Sequence, residues 1–419
     1  MNQEIAVLVA TPLLLGLLLL LCRRCRPRYQ VTFYIICLYA FSSVMSIVFY
    51  FQPLANLNGN ITWWPMIYWF SLFGITLFPI WQFDTSHVCH FKYDVRLLDK
   101  MVRWGALLSA IPFLEQMTMI PSLVMGGESD LGETMVDLHN NGVLDEMSFV
   151  GRNLLRLNIA IYDLTFIILF IQFIRERKNK VVILSCFFII VTRNLTGILE
   201  GHRSAAIGVL FKVILIMVIA YPLIGRSQKK MLKKSLLGII SVVGAVFIVI
   251  TVGRQMAYSV TYGEDFTMTY FLSRYAGEGL INFNQFLPQM KHYTDGLYTS
   301  WTVLQMLGMN PHELDYDYMY GYLESFTGIP QNIFYTYIGN FVHDFGFLIG
   351  ALLLMMMSLF FSLLMREYSS VMPISKLFLV VFYASIILEG VTSFPYCGEG
   401  GKFFIWSFVV YFVLRLLKM

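Results

Sequence analysis

Apolar runs of about 20 residues recur along most of this chain, and no other feature limits its fold so tightly. Backbone groups inside a bilayer must bond to one another, so only helices or closed barrels cross it. Strands of a barrel alternate apolar with polar residues over about ten positions. The runs here are twice as long and nearly unbroken, which predicts an all-α, polytopic membrane protein. Charged residues make up 13% of the chain, against roughly 25% in an ordinary soluble domain, and this excludes a water-soluble fold. Eleven spans are expected, at residues 5–22, 31–52, 65–83, 104–125, 154–174, 181–200, 205–224, 235–253, 335–365, 377–394 and 403–417.

Lysine and arginine sort by side. Four turns hold basic clusters at 23–28, 92–103, 175–180 and 226–234. Arg366, Lys376, Arg415 and Lys418 complete a set of 21 of the 30 basic residues. Only five of the 26 acidic residues fall on the same side as these basic residues: Asp84, Asp94, Asp99, Glu176 and Glu367. By the positive-inside rule these turns face the cytoplasm, which places the N-terminus outside and the C-terminus inside. The first run is followed by Arg23, Arg24, Arg26 and Arg28, whereas a cleaved signal begins basic and ends in small residues. It therefore reads as a retained helix. The six cysteines lie in helices or cytoplasmic turns, with only Cys397 near the outer face, so no disulfide framework is expected.

The chain divides into a first set of spans over 1–253, a large extracytoplasmic loop with short helices over 254–334, and three last spans over 335–419. Ten of the 24 tyrosines fall between Tyr258 and Tyr322. Within the loop, residues 266–290 read as an amphipathic helix lying at the interface. No internal repeat is visible, so the inverted repeats of many transporters are not evident.

Nine basic residues escape the cytoplasmic turns: Arg152, Arg156, Arg193, Arg203, Lys212, Arg254, Arg274, Lys291 and Lys402. Arg193 sits inside a span, where a charge costs at least a few kcal/mol. Arg193, Thr196, Glu200 and Arg203 share one helical face, which reads either as an anion site with forked guanidinium donors or as an Arg193–Glu200 ion pair with Arg203 reaching to the interface. Arg254 ends a span where the acidic loop begins. Arg274 is followed at i+4 by Glu278, either a simple helix pair or part of a site, since the loop holds three basic residues against eight carboxylates. At the next span, His343 or Asp344 is the candidate base for a sugar hydroxyl, with a helix cap as the plain alternative for Asp344; Glu278 is the third catalytic candidate.

Other motifs carry less. Asp315 and Asp317 have the spacing that holds a metal on nucleotide sugars, but those donors are absent outside the cell. His87, Cys89 and His90 lack a second ligand group for zinc. No cofactor, metal or nucleic acid is expected. Glu115, Asp163, Glu200 and Glu389 lie within or near spans, and carboxylates there keep a proton-coupled transporter or a lipid-linked oligosaccharide flippase as the rival reading.

Three stretches resemble the Wzy-type O-antigen and oligosaccharide repeat-unit polymerases. These are Gly201-His202-Arg203-Ser204-Ala205, then Arg274-Tyr275-Ala276-Gly277 with Phe283, then 332–337 followed by Asp344, Phe345, Gly346 and Gly350. The resemblance implies a GT-C-like helical enzyme of the bacterial inner membrane. It also implies metal-independent transfer of a growing glycan from undecaprenyl pyrophosphate to a new lipid-linked repeat unit, with a chain-length regulator as a possible partner. Arg193, His202, Arg203, Arg254, Arg274 and Tyr275 would hold substrate.

Overall fold

The computed structural model describes the chain except residues 1, 25–29, 56–59, 84–89, 126–142, 176, 200–202, 222–224, 226–227, 231–232, 235, 242, 246, 249–250, 253–266, 298, 300–315, 332, 367–370, 396–400 and 419. The described residues are mostly helical. In chain order they form α1 (Asn2–Arg24), α2 (Gln30–Tyr50), α3 (Trp63–Gln82), β1 (His90–Lys92), α4 (Val95–Leu108), α5 (Ala110–Met125), α6 (Phe149–Ile174), α7 (Lys180–Leu199), α8 (Arg203–Ala220), α9 (Met268–Gln285), α10 (Tyr316–Thr327), α11 (Thr336–Met365), β2 (Val371–Pro373), α12 (Ile374–Glu389) and α13 (Gly401–Leu416).

Among the described residues five helices, α1, α2, α3, α7 and α11, are long and apolar enough to cross a bilayer, and α6 makes six if its 51° bend lies within one span. Their outward surfaces fit that medium. Leu13, Leu17, Leu348 and Met356 are each more than half exposed, an apolar surface expected against lipid rather than water. The remaining predicted spans differ in particular ways. Residues 104–125 break at Ser109, whose hydroxyl turns back to the Gly105 carbonyl. The apolar parts of α8 and α13, Ile207–Ile219 and Phe404–Leu416, are shorter than a full crossing. The all-α expectation also gains an exception, a two-stranded parallel ladder that pairs His90 with Val371 and Lys92 with Pro373.

Two compact units divide the chain. The first holds residues 1–87, 269–368 and 382–405. Its centre is aromatic: Trp69 stacks on Phe73 at 4.8 Å, Tyr39 lies 4.5 Å from Phe73, and Phe361 stacks on Tyr383 at 4.3 Å. Hydroxyls tie these rings to backbone, with Tyr39 donating to Ile387 O and Tyr383 to Thr76 O. Burying rings this large gains a few kcal/mol each only when their polar ends find acceptors.

Within this unit α9 crosses α2 at backbone contact. Ser42 Oγ donates to Ala276 O at 2.6 Å and Ser46 Oγ to Gly277 O at 2.7 Å. A Cβ on Gly277 would stand 2.3 Å from Ser46 N. Small residues on both helices permit this approach, the usual logic of helix packing in membranes. From Gly277 to Gln285 every residue of α9 is buried, so the helix expected at the interface is instead a core element. A surface amphipathic helix would leave one face out.

The long helix α11 is not straight. Gly346 has φ 73 and ψ 175, a conformation essentially reserved for glycine. The chain doubles back there: a Cβ on Gly350 would lie 2.8 Å from Phe341 O, whereas nine residues of continuous helix span about 13 Å. The residues before the kink are mostly buried and those after it carry the exposed apolar surface. At its start, Thr336 adopts φ 65, a strained setting for a β-branched residue, worth about 1–3 kcal/mol. Thr336 N donates to Thr392 O, Tyr337 N to Gly390 O, and the Asn340 side chain accepts from Phe394 N. The irregular backbone after α12 is thus satisfied inside protein, as a low-dielectric setting demands.

The second unit holds residues 88–268, 369–381 and 406–419. In it α4 to α8 pack together with polar pins at several levels. Asp99 accepts from Gln172 and Asn179, and Arg175 approaches it at 3.7 Å. Asn158 donates to Ser109, and Gln116 to Thr196. Asp163 on α6 and Lys212 on α8 form an ion pair at 3.2 Å, and the same Lys212 ammonium sits 5.0 Å from the Tyr162 ring centre.

Candidate functional site

Polar residues at positions 274, 278, 282 and 285 of α9 follow one another at i+4, i+4 and i+3, which sets them along one helical face. Each reaches its neighbour or the strained start of α11. Arg274 Nε donates to Glu278 Oε2 at 3.0 Å, Gln285 Nε2 to Asn282 Oδ1 at 3.2 Å, and Asn282 Nδ2 to Phe334 O at 3.1 Å. Tyr275 places its ring 5.3 Å from that of Phe334. The result is a polar seam inside the first unit, running along α9 towards residues 334–336.

The two ends of the Arg274–Glu278 pair differ. The Arg274 side chain is 31% exposed and that of Glu278 5%. Burial pushes the Glu278 carboxyl up from its ordinary value, and the neighbouring guanidinium pulls against that rise without cancelling it. For Arg274 burial works against the cation, but Glu278 outweighs it and keeps the guanidinium charged. An acid of raised affinity for protons thus sits beside a partly exposed cation.

His343 and Asp344 are buried on the segment before the kink. The Asp344 carboxylate is held by the large loop: Oδ1 accepts from the Thr294 hydroxyl and Oδ2 from Thr299 N at 2.5 Å. A Thr294–Leu297 turn carries the first donor and leads to the second, with positive φ at Asp295 and Gly296 and Leu297 N bonded to Thr294 O, the geometry of a type I′ turn. Asp344 therefore anchors the loop. His343 stacks on Tyr335 with centroids 6.0 Å apart, and its Nδ1 stands 3.7 Å from Asp344 Oδ1, beyond hydrogen-bond length.

The structure gathers Arg274, Tyr275, Glu278, His343 and Asp344 in the first unit. Arg193 belongs to the second, half-buried on α7, where its charge acts on Tyr162. Arg203 is the first residue of α8; His202, Arg254, Glu200, Asp315, His87 and Cys89 lie outside the described residues. Of the remaining carboxylates near spans, Glu115 accepts from the Ser148 hydroxyl and amide, and Asp163 is paired with Lys212. Among the described residues no three His, Cys, Asp or Glu side chains converge on a metal position.

Sequence reading missed Asn282 and Gln285 on the seam and Thr294 and Thr299 around Asp344. The first two continue the i+4 pattern begun by Arg274, and Asp295-Gly296 is a turn signal on its own. Comparison with family models, with curated proteins and with solved structures finds no match for this chain.

Proposed function

We propose that this protein joins lipid-linked oligosaccharide repeat units at the outer face of a bacterial inner membrane, as an O-antigen-type polymerase. The observation that carries the reading is the seam on α9, a buried carboxyl of raised pKa beside a partly exposed arginine in a unit built from bilayer-length helices. That combination suits a lipid-anchored substrate with a pyrophosphate head.

In this reading a hydroxyl of the acceptor sugar attacks the anomeric carbon of the donor glycan. The new glycosidic C–O bond forms as the bond to pyrophosphate breaks, and undecaprenyl pyrophosphate leaves with the electron pair. Glu278 takes the hydroxyl proton, a task for which a carboxyl moved towards neutral pH is suited. Arg274 meets the charge growing on the leaving group, where forked donors act most strongly. Tyr275 offers a ring edge and a hydroxyl to the sugar. Asp344 positions the loop, and His343 remains the second candidate base. The family resemblance alone carries Arg203 and Arg254 as candidate substrate residues.

One observation favours the rival, a lipid-linked oligosaccharide flippase or proton-coupled carrier. Asp163 and Lys212 form a buried ion pair partway along their helices, and such groups also serve proton relays. Deletion of the gene separates the two. Loss of polymerase leaves surface lipid bearing a single repeat unit and no long chains; loss of a flippase removes even the single repeat.

A further inference from the structure

The large loop carries an aromatic surface that the seam does not use. On α10, Tyr322 and Phe326 are 40% and 37% exposed, and their rings are parallel within 8° at 6.0 Å. His292 stacks on Phe326 at 5.1 Å and 28°. Three flat rings thus lie in series on a surface.

Over residues 321–329 the aliphatic and aromatic side chains sort apart. The aliphatic side chain of α10 at Leu323, and Ile329 just beyond the helix end, are buried at 0% and 2%, while the rings face out beside exposed Glu324 and Ser325. The exposed surfaces of α1 and α11 are mostly leucine, isoleucine and methionine, with Phe360 among them, whereas α3 exposes Trp63, Trp64, Phe78 and Trp81. Rings flanked by a carboxylate and a hydroxyl suit a sugar, which has an apolar C–H face and a polar rim.

The surface is also fixed to the candidate site. Lys291 N donates to Thr327 O at 2.9 Å, and the Lys291 methylenes lie against Gly328, whose φ is 73. Two residues past His292, Thr294 N donates to His343 O and the Thr294 hydroxyl to Asp344. Tyr293 packs on the kink glycine, Gly346. A ligand on the rings is therefore held in register with the segment that bears His343.

We propose that His292, Tyr322 and Phe326 form a binding platform for the glycan chain, gripping sugars away from the pyrophosphate end. The inference rests on the polymerase reading for its choice of ligand. A chain held here is retained between additions, so the platform sets product length rather than the first joining step.

The test uses the full-length protein in detergent and, as probe, the surface polysaccharide of the strain that carries this chain, freed of lipid by mild acid. Tyr322→Ala and Phe326→Ala should each weaken binding about three- to tenfold, the loss of one ring contact, while Phe326→Tyr keeps it. In cells the double alanine variant should shift the ladder to shorter chains and still make two-repeat product. Equal binding by wild type and double variant, no binding by wild type, or loss of binding only to phospholipid vesicles would each overturn the platform. If the deletion strain keeps its long polymer but the rings bind the glycan, the polymerase reading fails and the platform stands.

Discussion

Two ion pairs inside this protein use the same chemistry to opposite ends. Lys212–Asp163 joins two helices, with side chains 11% and 13% exposed, and a tyrosine ring lies against the ammonium. Arg274–Glu278 lies within one helix, and its cation is 31% exposed while its carboxylate is 5%. The first pair is closed and holds helices together. The second leaves an arginine partly exposed beside a buried carboxyl, the arrangement on which the proposed reading rests.

That contrast is sharpest in what truncation does. Lys212→Ala strands a buried carboxylate, a cost of about 3–5 kcal/mol, and should lower the amount of folded protein in the membrane severalfold without any specific effect on product. Replacing both partners together, Asp163→Leu with Lys212→Met, should restore abundance, because a packed apolar pair substitutes well for a buried ionic one. If the double variant is as poorly folded as the single one, the pair is more than packing.

The next largest effect belongs to the support of the seam. Gly277→Ala places a Cβ within 2.3 Å of the α2 backbone, an overpacking worth about 1–3 kcal/mol, and should lower the unfolding temperature measured in detergent. Unchanged stability would mean that α9 does not cross α2 so closely. Asp344→Asn keeps one acceptor and loses charge, so a loss of about 1–2 kcal/mol is expected from weaker bonds to Thr294 and Thr299. Product length should change little, whereas complete loss of polymer at full abundance would make Asp344 the base after all.

The smallest effect is a pH slope. Glu278 has a folded pKa above its unfolded one, so the stability it contributes is present below the ordinary carboxylate range, about 4.3, and is lost as pH rises through the raised value. Glu278→Gln removes that dependence. The variant should gain in unfolding temperature relative to wild type as pH rises above about 4.3, and parallel curves for the two proteins would show that the carboxyl is not perturbed.

Much of this was legible in the chain itself. The apolar runs located α1, α2, α3, α7 and α11 to within a few residues, because hydrophobic length is a local property. The resemblance singled out Arg274, Glu278 follows it at helical spacing, and Asp344-Phe345-Gly346 marked a special place. What escaped depends on partners distant in sequence. The close seat of α9 on α2 depends on Ser42 and Ser46, more than 200 residues earlier, and Gly277 was its local sign. The fold at Gly346 needs Tyr293 and Phe341 in place. The role of Asp344 could be assigned only once Thr294 and Thr299 lay beside it.

On the proposed reading the Arg274–Glu278 pair is catalytic machinery and not packing. The direct test replaces both with glutamine, which leaves two neutral hydrogen-bonding side chains and strands no buried charge. Expressed in a deletion strain at wild-type abundance, this variant should give surface lipid with one repeat unit and no ladder on a gel. A normal ladder would contradict the account.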